Sequence, residues 1–315
     1  MPDSPDSPSI IYALAAAPDF AASQICFAAG TMGLLRSLDG GKTWADALSA
    51  LGLAEAPPVA AVAVSPTFAS DGIVMAGTAG GVLRSIDRGE TWEFRAFGSP
   101  PPFVASLAIS PHFEQDGVIF AGTLEDGIFV SRNRGASWNA WNFGLLDLNV
   151  LALAISPAFA GDETVFAAVE SGLFRSANGG RAWREVPFDL DDAPVLSLAI
   201  SPNFSEDGVL FAGTEANGLF KSGDGGNSWR RLAANAISDS VDAILLAPDY
   251  PAAPDMLALA GGDLLISHDL GETWRPRIPR EVADSPITAI LSPTDLKDDS
   301  PLLIGVADKG VTIIL

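Results

Sequence analysis

The stretch SLDGGKTW at residues 37–44 combines a serine, an aspartate, paired glycines and a tryptophan, and close copies of this box recur along the chain. The copies are SIDRGETW at 85–92, SRNRGASW at 131–138, SANGGRAW at 176–183, SGDGGNSW at 222–229 and SHDLGETW at 267–274. Their tryptophans, Trp44, Trp92, Trp138, Trp183, Trp229 and Trp274, follow one another at intervals of 48, 46, 45, 46 and 45 residues. A fixed period of this size is typical of repeat architectures.

A second motif keeps the same period. It reads APDF at 17–20, SPTF at 65–68, SPHF at 110–113, SPAF at 156–159, SPNF at 201–204 and APDY at 247–250, with a degenerate SPTD at 292–295. In the fifth unit the two motifs separate four strand-like runs, which are VLSLAIS (195–201), VLFAGT (209–214), LFKS (219–222) and WRRLA (229–233). Four short strands within about 45 residues make one blade of a β-propeller.

The sequence therefore predicts an all-β fold, a seven-bladed β-propeller of four-stranded antiparallel blades, with the boxes between third and fourth strands. The propeller occupies residues 10–315, with blades starting near residues 10, 59, 103, 150, 195, 241 and 287, and residues 1–9 form a tail rich in Pro and Asp. The seventh unit shows only three strand-like runs, so its fourth strand is either missing or supplied by the amino terminus. A six-bladed ring is the alternative, but it would leave three strands with no place.

The box itself is interpreted as the turn that closes each blade's outer hairpin. Its second glycine never varies, as expected where the backbone needs a positive φ. The acidic or amide residue of each copy is expected to accept hydrogen bonds from backbone amides of its own turn, and the tryptophan to pack on the blade. These acceptors are Asp39, Asp87, Asn133, Asn178, Asp224 and Asp269. A calcium site is the alternative, but asparagine replaces the carboxylate in two copies.

The repeated pattern S-x-D-x-G-x-T-W resembles the boxes of the Asp-box (BNR-repeat) propellers. That family includes sialidases, xyloglucan-cleaving glycosidases, the sortilin ectodomain and the photosystem II assembly and stability factors. With its SPxF, FAGT and GLFRS segments, the chain is most similar to the photosystem II factors, to sortilin and to related BNR-like repeat proteins. The resemblance implies the propeller fold, and it implies either protein binding or glycan chemistry as the function.

The residues argue against an enzyme. Of the two tyrosines, Tyr250 stands at the aromatic position of the second motif and is expected in the core, so a sialidase-like nucleophile is not evident. His112 and His268 both fall inside the repeated motifs, which leaves no Ser–His–Asp arrangement. Arg36, Arg84, Arg175 and Lys221 repeat at one position of the third strand, which predicts a row around the ring rather than a cluster. We therefore expect no catalytic residues and no cofactor.

A glycan-active or glycan-binding propeller remains the alternative function. Sugars usually stack on exposed aromatic side chains, and Trp141 is the one tryptophan outside the boxes. The first strands of the blades alternate small residues, such as Ala61 and Ala63, with Leu, Ile or Val. This period of two predicts one face buried between blades and another that lines the central channel with methyl groups.

The composition of the chain limits the classes of partner that we expect it to bind. The net charge of −21 disfavours nucleic acid, because a phosphate backbone requires basic surface. The sequence contains no run of 18 or more apolar residues, which is the length that a membrane-spanning helix requires. The single cysteine, Cys26, is expected to be a buried, inert thiol. We expect a monomer in the cytoplasm, since no export signal is seen, or an exported protein if the sequence is a processed form.

The candidate binding site is acidic. The turns between second and third strands and the connectors between blades should share one end of the ring. The acids predicted there as a site are Asp189, Asp191 and Asp192, with Glu170, Glu215, Asp239 and Asp242. They could receive a cationic segment of a protein partner or a divalent metal, or they could merely keep the ring soluble. The connectors at 47–58 and 97–102 are expected to add apolar contact surface. The predicted function is thus a non-enzymatic scaffold that binds a protein partner or assists assembly.

Overall fold

The computed structural model describes residues 9–98, 101–188, 194–277 and 285–314, and these form seven antiparallel sheets. Six sheets have four strands, and within the described residues the seventh has three. The first strand of blade 1 contacts the first strands of blades 2 and 7, so the sheets close into a ring. The predicted seven-bladed propeller is confirmed.

The strands follow the repeat in chain order. The first strands, nearest the axis, are Ile11–Ala16, Val59–Val64, Phe103–Ile109, Val150–Ile155, Val195–Ile200, Val241–Leu246 and Ile287–Leu291. The second strands are Cys26–Gly30, Val74–Thr78, Ile119–Leu124, Val165–Val169, Leu210–Thr214, Met256–Ala260 and Leu302–Val306. The third strands are Gly33–Ser37, Gly81–Ser85, Gly127–Ser131, Gly172–Ser176, Leu219–Ser222, Asp263–Ser267 and Gly310–Ile314. The fourth strands, at the rim, are Ala45–Asp46, Glu93–Ala96, Asn139–Ala140, Arg184–Glu185, Arg230–Leu232 and Arg275–Pro276.

Short helices occupy the turns after the first strands. They are Phe20–Ser23, Phe68–Asp71, Phe113–Asp116, Phe159–Asp162 and Phe204–Asp207, and a 3₁₀ turn covers Ser49–Leu51. None of the helices in the described ranges is long and apolar enough to cross a membrane.

The turns and connectors of the blades lie at the two opposite ends of the ring. The helical turns and the boxes share the lower end, where Gly40 N donates to Gln24 O and Arg88 N to Gly72 O, both at 2.9 Å. The turns between second and third strands share the upper end with the connectors between blades. There Glu170 N, in the turn of blade 4, donates to Asn149 O of the preceding connector at 3.1 Å.

The box forms the hydrogen-bonded turn that its sequence predicts. Ser37 Oγ accepts a bond from Gly41 N at 2.8 Å and donates to Asp39 Oδ1 at 2.8 Å. Asp39 then accepts Thr43 N at 2.9 Å and Thr43 Oγ1 at 2.7 Å. Asn133 accepts Ser137 N at 2.9 Å in the same way, so an uncharged amide fills the position. The turn therefore needs an acceptor rather than a bound cation.

The invariant glycine has two reasons to be glycine. Its φ lies between 78° and 92° in all six boxes, a region that costs other residues energy. A Cβ on Gly89 would also lie 2.6 Å from Phe27 Cε1, and one on Gly180 would lie 2.6 Å from Phe120 Cε1. Both phenylalanines belong to the second strand of the preceding blade, so each box is packed onto its neighbour.

The ring closes through the same contact. Gly41, in the box of blade 1, sits so close to Leu303 of blade 7 that a Cβ would overlap its side chain. The position before the glycine is also left-handed, including Arg88, Arg134 and Leu270 with φ of 64°, 57° and 64°. Sequence reasoning missed this second constraint, because non-glycine residues occupy half of the copies.

The second motif also joins blades. Phe68 packs edge-on against Phe27 of blade 1 with ring centroids 6.5 Å apart, and Tyr250 packs in the same way against Phe211 of blade 5 at 5.9 Å. Tyr250 is 2% exposed, and burial raises its pKa to about 12. It is a core residue, as its motif position predicts.

The expectation of a methyl-lined channel is wrong. Both faces of the first strands pack against neighbouring blades, because each blade stands edge-on to the axis. Ala13 of blade 1 joins a core cluster with Val62 and Val64 of blade 2. In the same way Ala154, only 7% exposed, meets Leu198 of blade 5. Small side chains of one blade thus receive the larger side chains of the next.

The basic side chains on the third strands connect neighbouring blades through hydrogen bonds. Arg84 Nε donates to Arg134 O at 2.7 Å, and Arg175 Nη1 donates to Gly225 O at 3.3 Å. Both acceptors precede the invariant glycine in the next blade's box. These arginines thus bond successive turns around the ring.

Glycine-to-alanine substitutions should separate backbone strain from packing. Gly180→Ala is expected to cost about 1–2 kcal/mol for its left-handed φ and a further 1–3 kcal/mol, roughly, for overpacking against Phe120. Gly52→Ala, with φ of 61° but no atom within 4 Å, should cost only the backbone part. Gly161→Ala, without either constraint, should be near neutral. Urea unfolding measures all three; equal losses for Gly180 and Gly52 would contradict the packing role.

The box carboxylates should contribute stability that depends on pH. Hydrogen bonds from the Thr43 hydroxyl and amide, with Ser37, lower the pKa of Asp39 to about 2, and the Ser228 hydroxyl and amide lower that of Asp224 likewise to about 2. An acid with a lowered pKa stabilises the fold above its ordinary value of 3.8 and loses that contribution as pH falls towards 2.

The double variant Asp39→Asn/Asp224→Asn should therefore melt below the wild type at pH 6. The difference between their Tm values should shrink between pH 4 and pH 2, as judged by circular dichroism. A difference that stays constant down to pH 2 would show that charge at these positions does not act on stability.

Candidate functional site

The described site acids lie at the upper end but do not converge. Glu170 and Glu215 stand in the turns between second and third strands of blades 4 and 5. Asp239 lies in the connector to blade 6, and Asp242 in that blade's first strand. Asp189, Asp191 and Asp192 lie outside the described residues. The acids form an arc over successive blades.

Glu170 is fixed by a network that links blades 3 and 4. Its Oε2 accepts Asn149 Nδ2 at 3.0 Å, while Asn149 Oδ1 accepts Glu125 N of blade 3 at 3.0 Å. Asp147 accepts Asn149 N at 2.9 Å and Ser171 N of blade 4 at 2.8 Å. Two acidic side chains thus hold the connector between the blades in a defined place.

The segment at residues 141–149 is called the blade 3–4 connector below. It exposes Phe143 and Leu146, each 79% accessible, and Leu148 at 36%. Sequence reasoning missed it, although the run FGLLDL at 143–148 holds four apolar residues between two blades. That density in a surface connector was the available signal.

The two connectors expected to add apolar surface are partly core instead. Leu48, in the connector at 47–58, is 2% exposed. Phe97, in the connector at 97–102, is also 2% exposed and stacks on Phe129 at 4.4 Å. Among the leucine and phenylalanine side chains that the structure describes in these two connectors, Leu53 is the exposed one, at 52%. Much of their apolar content therefore fills gaps between blades.

Trp141 does not offer a free platform for a sugar. Its side chain is half-buried in the core between blades 3 and 4, with the Arg132 guanidinium 5.1 Å over its ring. Its carbonyl accepts Trp183 Nε1 at 2.9 Å. The ring is used in packing.

The upper mouth of the channel has its own ring of residues. Each first strand carries a bulge that leaves one residue unpaired with the second strand. The bulged residues are Tyr12, Ala60, Ala105, Leu151, Leu196, Asp242 and Thr288. The polar members stand in adjacent blades 1, 6 and 7. Asp242 is the sole carboxylate of this ring.

The Asp242 side chain is exposed, but the partial burial of its carboxylate at the channel mouth raises its pKa. A bond that Ser240 Oγ donates to the carboxylate at 3.3 Å opposes that rise. The raised pKa of a carboxylate at a channel mouth is the kind of feature that general acids show. Among the described residues, however, no partner carboxylate is hydrogen-bonded to it. Asp242 therefore contributes negative charge to the upper mouth of the channel.

The described residues were also compared with what a metal site or a reactive thiol would require. No group of three or more His, Cys, Asp or Glu side chains there could hold a metal ion together. Cys26 is fully buried in the second strand of blade 1, and desolvation raises the pKa of its thiol to about 11. It is the inert thiol that its strand position predicts.

Neither a family model nor a curated protein matches the chain. Many solved structures do match it. The extracellular domain of BT4673 from B. thetaiotaomicron is similar with a TM-score of 0.72 at 14% identity, over 98% of this chain and 39% of that protein. This chain thus spans well under half of the first structures it matches.

Two other similar structures come from proteins of different kinds. The GH74 xyloglucanase from Xanthomonas campestris has a TM-score of 0.71 at 19% identity, over 97% of this chain and 52% of the enzyme. YCF48 bound to D1 peptide has a TM-score of 0.70 at 17% identity, over 100% of this chain and 97% of that protein. At such identities the likeness shows the fold, and the predicted resemblance to Asp-box propellers is confirmed at that level.

Asp242→Asn should stabilise the protein at neutral pH. A carboxylate whose pKa is raised by burial disfavours the fold while it is charged, and this penalty disappears below its ordinary value of 3.8. The variant should therefore melt above the wild type at pH 7 and equal to it near pH 3.5. An unchanged Tm at pH 7 would contradict the effect of burial on this side chain.

Proposed function

We propose that the chain is a non-enzymatic platform that binds a protein partner, or assists its assembly, by receiving a cationic segment at the upper end. One observation carries the proposal. The upper turns and connectors of blades 3–5, at 124–127, 141–149, 170–172, 215–218 and 233–240, hold six acids and no Lys or Arg. Those acids are Glu125, Asp126, Asp147, Glu170, Glu215 and Asp239.

This distribution suits a partner rather than a single ion. Acids spread in an arc over three blades produce a continuous negative potential, which steers a basic segment and orients it on the surface. Where the acids are bonded, as Glu170 and Asp147 are, their partners are Asn149 and backbone amides, so the charges are held without being neutralised. Asp189, Asp191 and Asp192 are proposed to extend the arc between blades 4 and 5.

The comparisons support this reading. YCF48 is seen with a bound peptide, and it matches this chain over nearly the whole length of both proteins. The xyloglucanase favours the alternative of a glycan-active or glycan-binding propeller, but about half of its length has no counterpart here. The ring of Trp141 is packed between blades 3 and 4, which favours the non-enzymatic function over sugar binding at this residue. Release of reducing sugar from xyloglucan would favour the alternative.

Charge reversal at the upper end should abolish partner binding. The variant Glu170→Lys/Glu215→Lys reverses the sign of two charges in the arc. The matched control, Glu114→Lys/Glu206→Lys, makes the same change in net charge at two exposed positions of the lower end. Affinity purification with quantitative mass spectrometry should lose the partner with the upper pair and keep it with the lower pair. The reversal of Asp189, Asp191 and Asp192 together should act like the upper pair.

Two outcomes of this purification would contradict the proposed function. Partners that are retained by every upper variant, or lost equally with the lower control, would show that the acidic arc does not select them. Raised salt should weaken the retained complex, because charge steering is screened.

A further inference from the structure

The blade 3–4 connector carries exposed apolar side chains that the fold does not use. Phe143 and Leu146 are each 79% accessible and Leu148 is 36% accessible, all within six residues. Among the described residues, the other large apolar side chains at least as exposed as Leu148 are scattered over blades 1 and 2: Tyr12, Met32, Leu38, Leu53, Ile86 and Phe94. Grouped apolar side chains on a soluble surface usually mark an interaction site.

The connector is held rigidly in the conformation that exposes them. Asn142 Oδ1 accepts Ile128 N at 2.8 Å and Asn142 Nδ2 donates to Asp126 O at 2.9 Å. Phe143 O accepts Trp183 N at 2.8 Å, and Leu148 O accepts Gly127 N at 2.9 Å.

Leu145, between the exposed residues, is buried in the core of blades 3 and 4 and anchors the loop. A pre-ordered loop loses little conformational freedom when a partner covers it.

The charge around these side chains defines the partner. Asp147 lies between Leu146 and Leu148 in sequence, and its two oxygens accept backbone amides on both sides of the blade junction. Glu125 and Glu170, both exposed, stand in the adjoining turns that Asn149 bridges. No Lys or Arg occurs between Arg134 and Arg175. Arg132 is engaged with the Trp141 ring, whereas the side chains in the upper turns that adjoin Leu146 and Leu148 are acidic. Such a surface complements a segment that is both apolar and basic.

We propose that Phe143, Leu146 and Leu148 form a docking patch for an amphipathic peptide segment, whose aliphatic or aromatic side chains cover the patch while its Lys or Arg side chains face Glu125, Asp147 and Glu170. The proposal rests on the platform function and gives its partner a defined chemistry. It places the apolar contact on the blade 3–4 connector, whose Phe143 and Leu146 are the most exposed large apolar side chains among the described residues.

The test uses a fluorescein-labelled synthetic peptide of alternating Leu and Lys pairs, with a Ser/Lys peptide and a Leu/Glu peptide as comparisons. Fluorescence anisotropy measures binding to the full chain. The variant Phe143→Ser/Leu146→Ser removes the patch. Leu38→Ser/Ile86→Ser is the matched control, because these lower-end side chains are 60% and 58% exposed and outside the patch. Tm values of both variants within a few degrees of the wild type verify folding.

If the docking patch exists, the Leu/Lys peptide should bind the wild type and the lower-end control with equal affinity. It should bind the patch variant at least tenfold more weakly. Glu125→Gln/Glu170→Gln should weaken the same peptide, while the Leu/Glu peptide should not bind. If the Ser/Lys peptide binds as well as the Leu/Lys peptide and the patch variant changes nothing, the platform function stands and the docking patch is overturned. If neither cationic peptide binds, the platform function fails as well.

Discussion

The structure depends on one packing constraint, which is the approach of a second-strand side chain of one blade to the box glycine of the next. Phe27 and Phe120 occupy the space where Gly89 and Gly180 would carry a Cβ, and Leu303 does the same at Gly41 across the ring closure. Ser37 Oγ accepts a hydrogen bond from Gly41 N and Asp39 accepts one from Thr43 N, and these bonds hold the turn in the left-handed conformation that makes this approach possible. A hairpin turn and an interface between blades are therefore the same structural feature.

This double use explains why the repeated residues carry so little chemistry. The box acceptors bond groups of their own turns, whereas the motif aromatic residues and the third-strand arginines contact neighbouring blades. The alanines of the first strands pack against their neighbours' larger side chains. The upper turns and connectors differ in sequence from repeat to repeat. There the chain places an acidic arc, and on one ordered connector it leaves Phe143 and Leu146 uncovered.

The fold could be predicted from the sequence because its markers are local and repeated. A glycine that needs a positive φ, or an acceptor two residues after a serine, acts within its own turn and is visible in every copy. The site was harder, because it depends on contacts between non-repeated segments. Leu48 and Phe97 looked like surface in the sequence and are buried by the adjoining blade, whereas Phe143 looked the same and is exposed. Composition cannot separate these cases, since the difference lies in which neighbour covers the side chain.

Hydrogen–deuterium exchange of the full chain, with and without the Leu/Lys peptide, tests the central claim most directly. Under the proposal that the repeated turns build the ring and the blade 3–4 connector binds the partner, we expect new protection at 141–149 and 170–171, with the box turns unchanged. Protection confined to the boxes and helical turns of the lower end would contradict it.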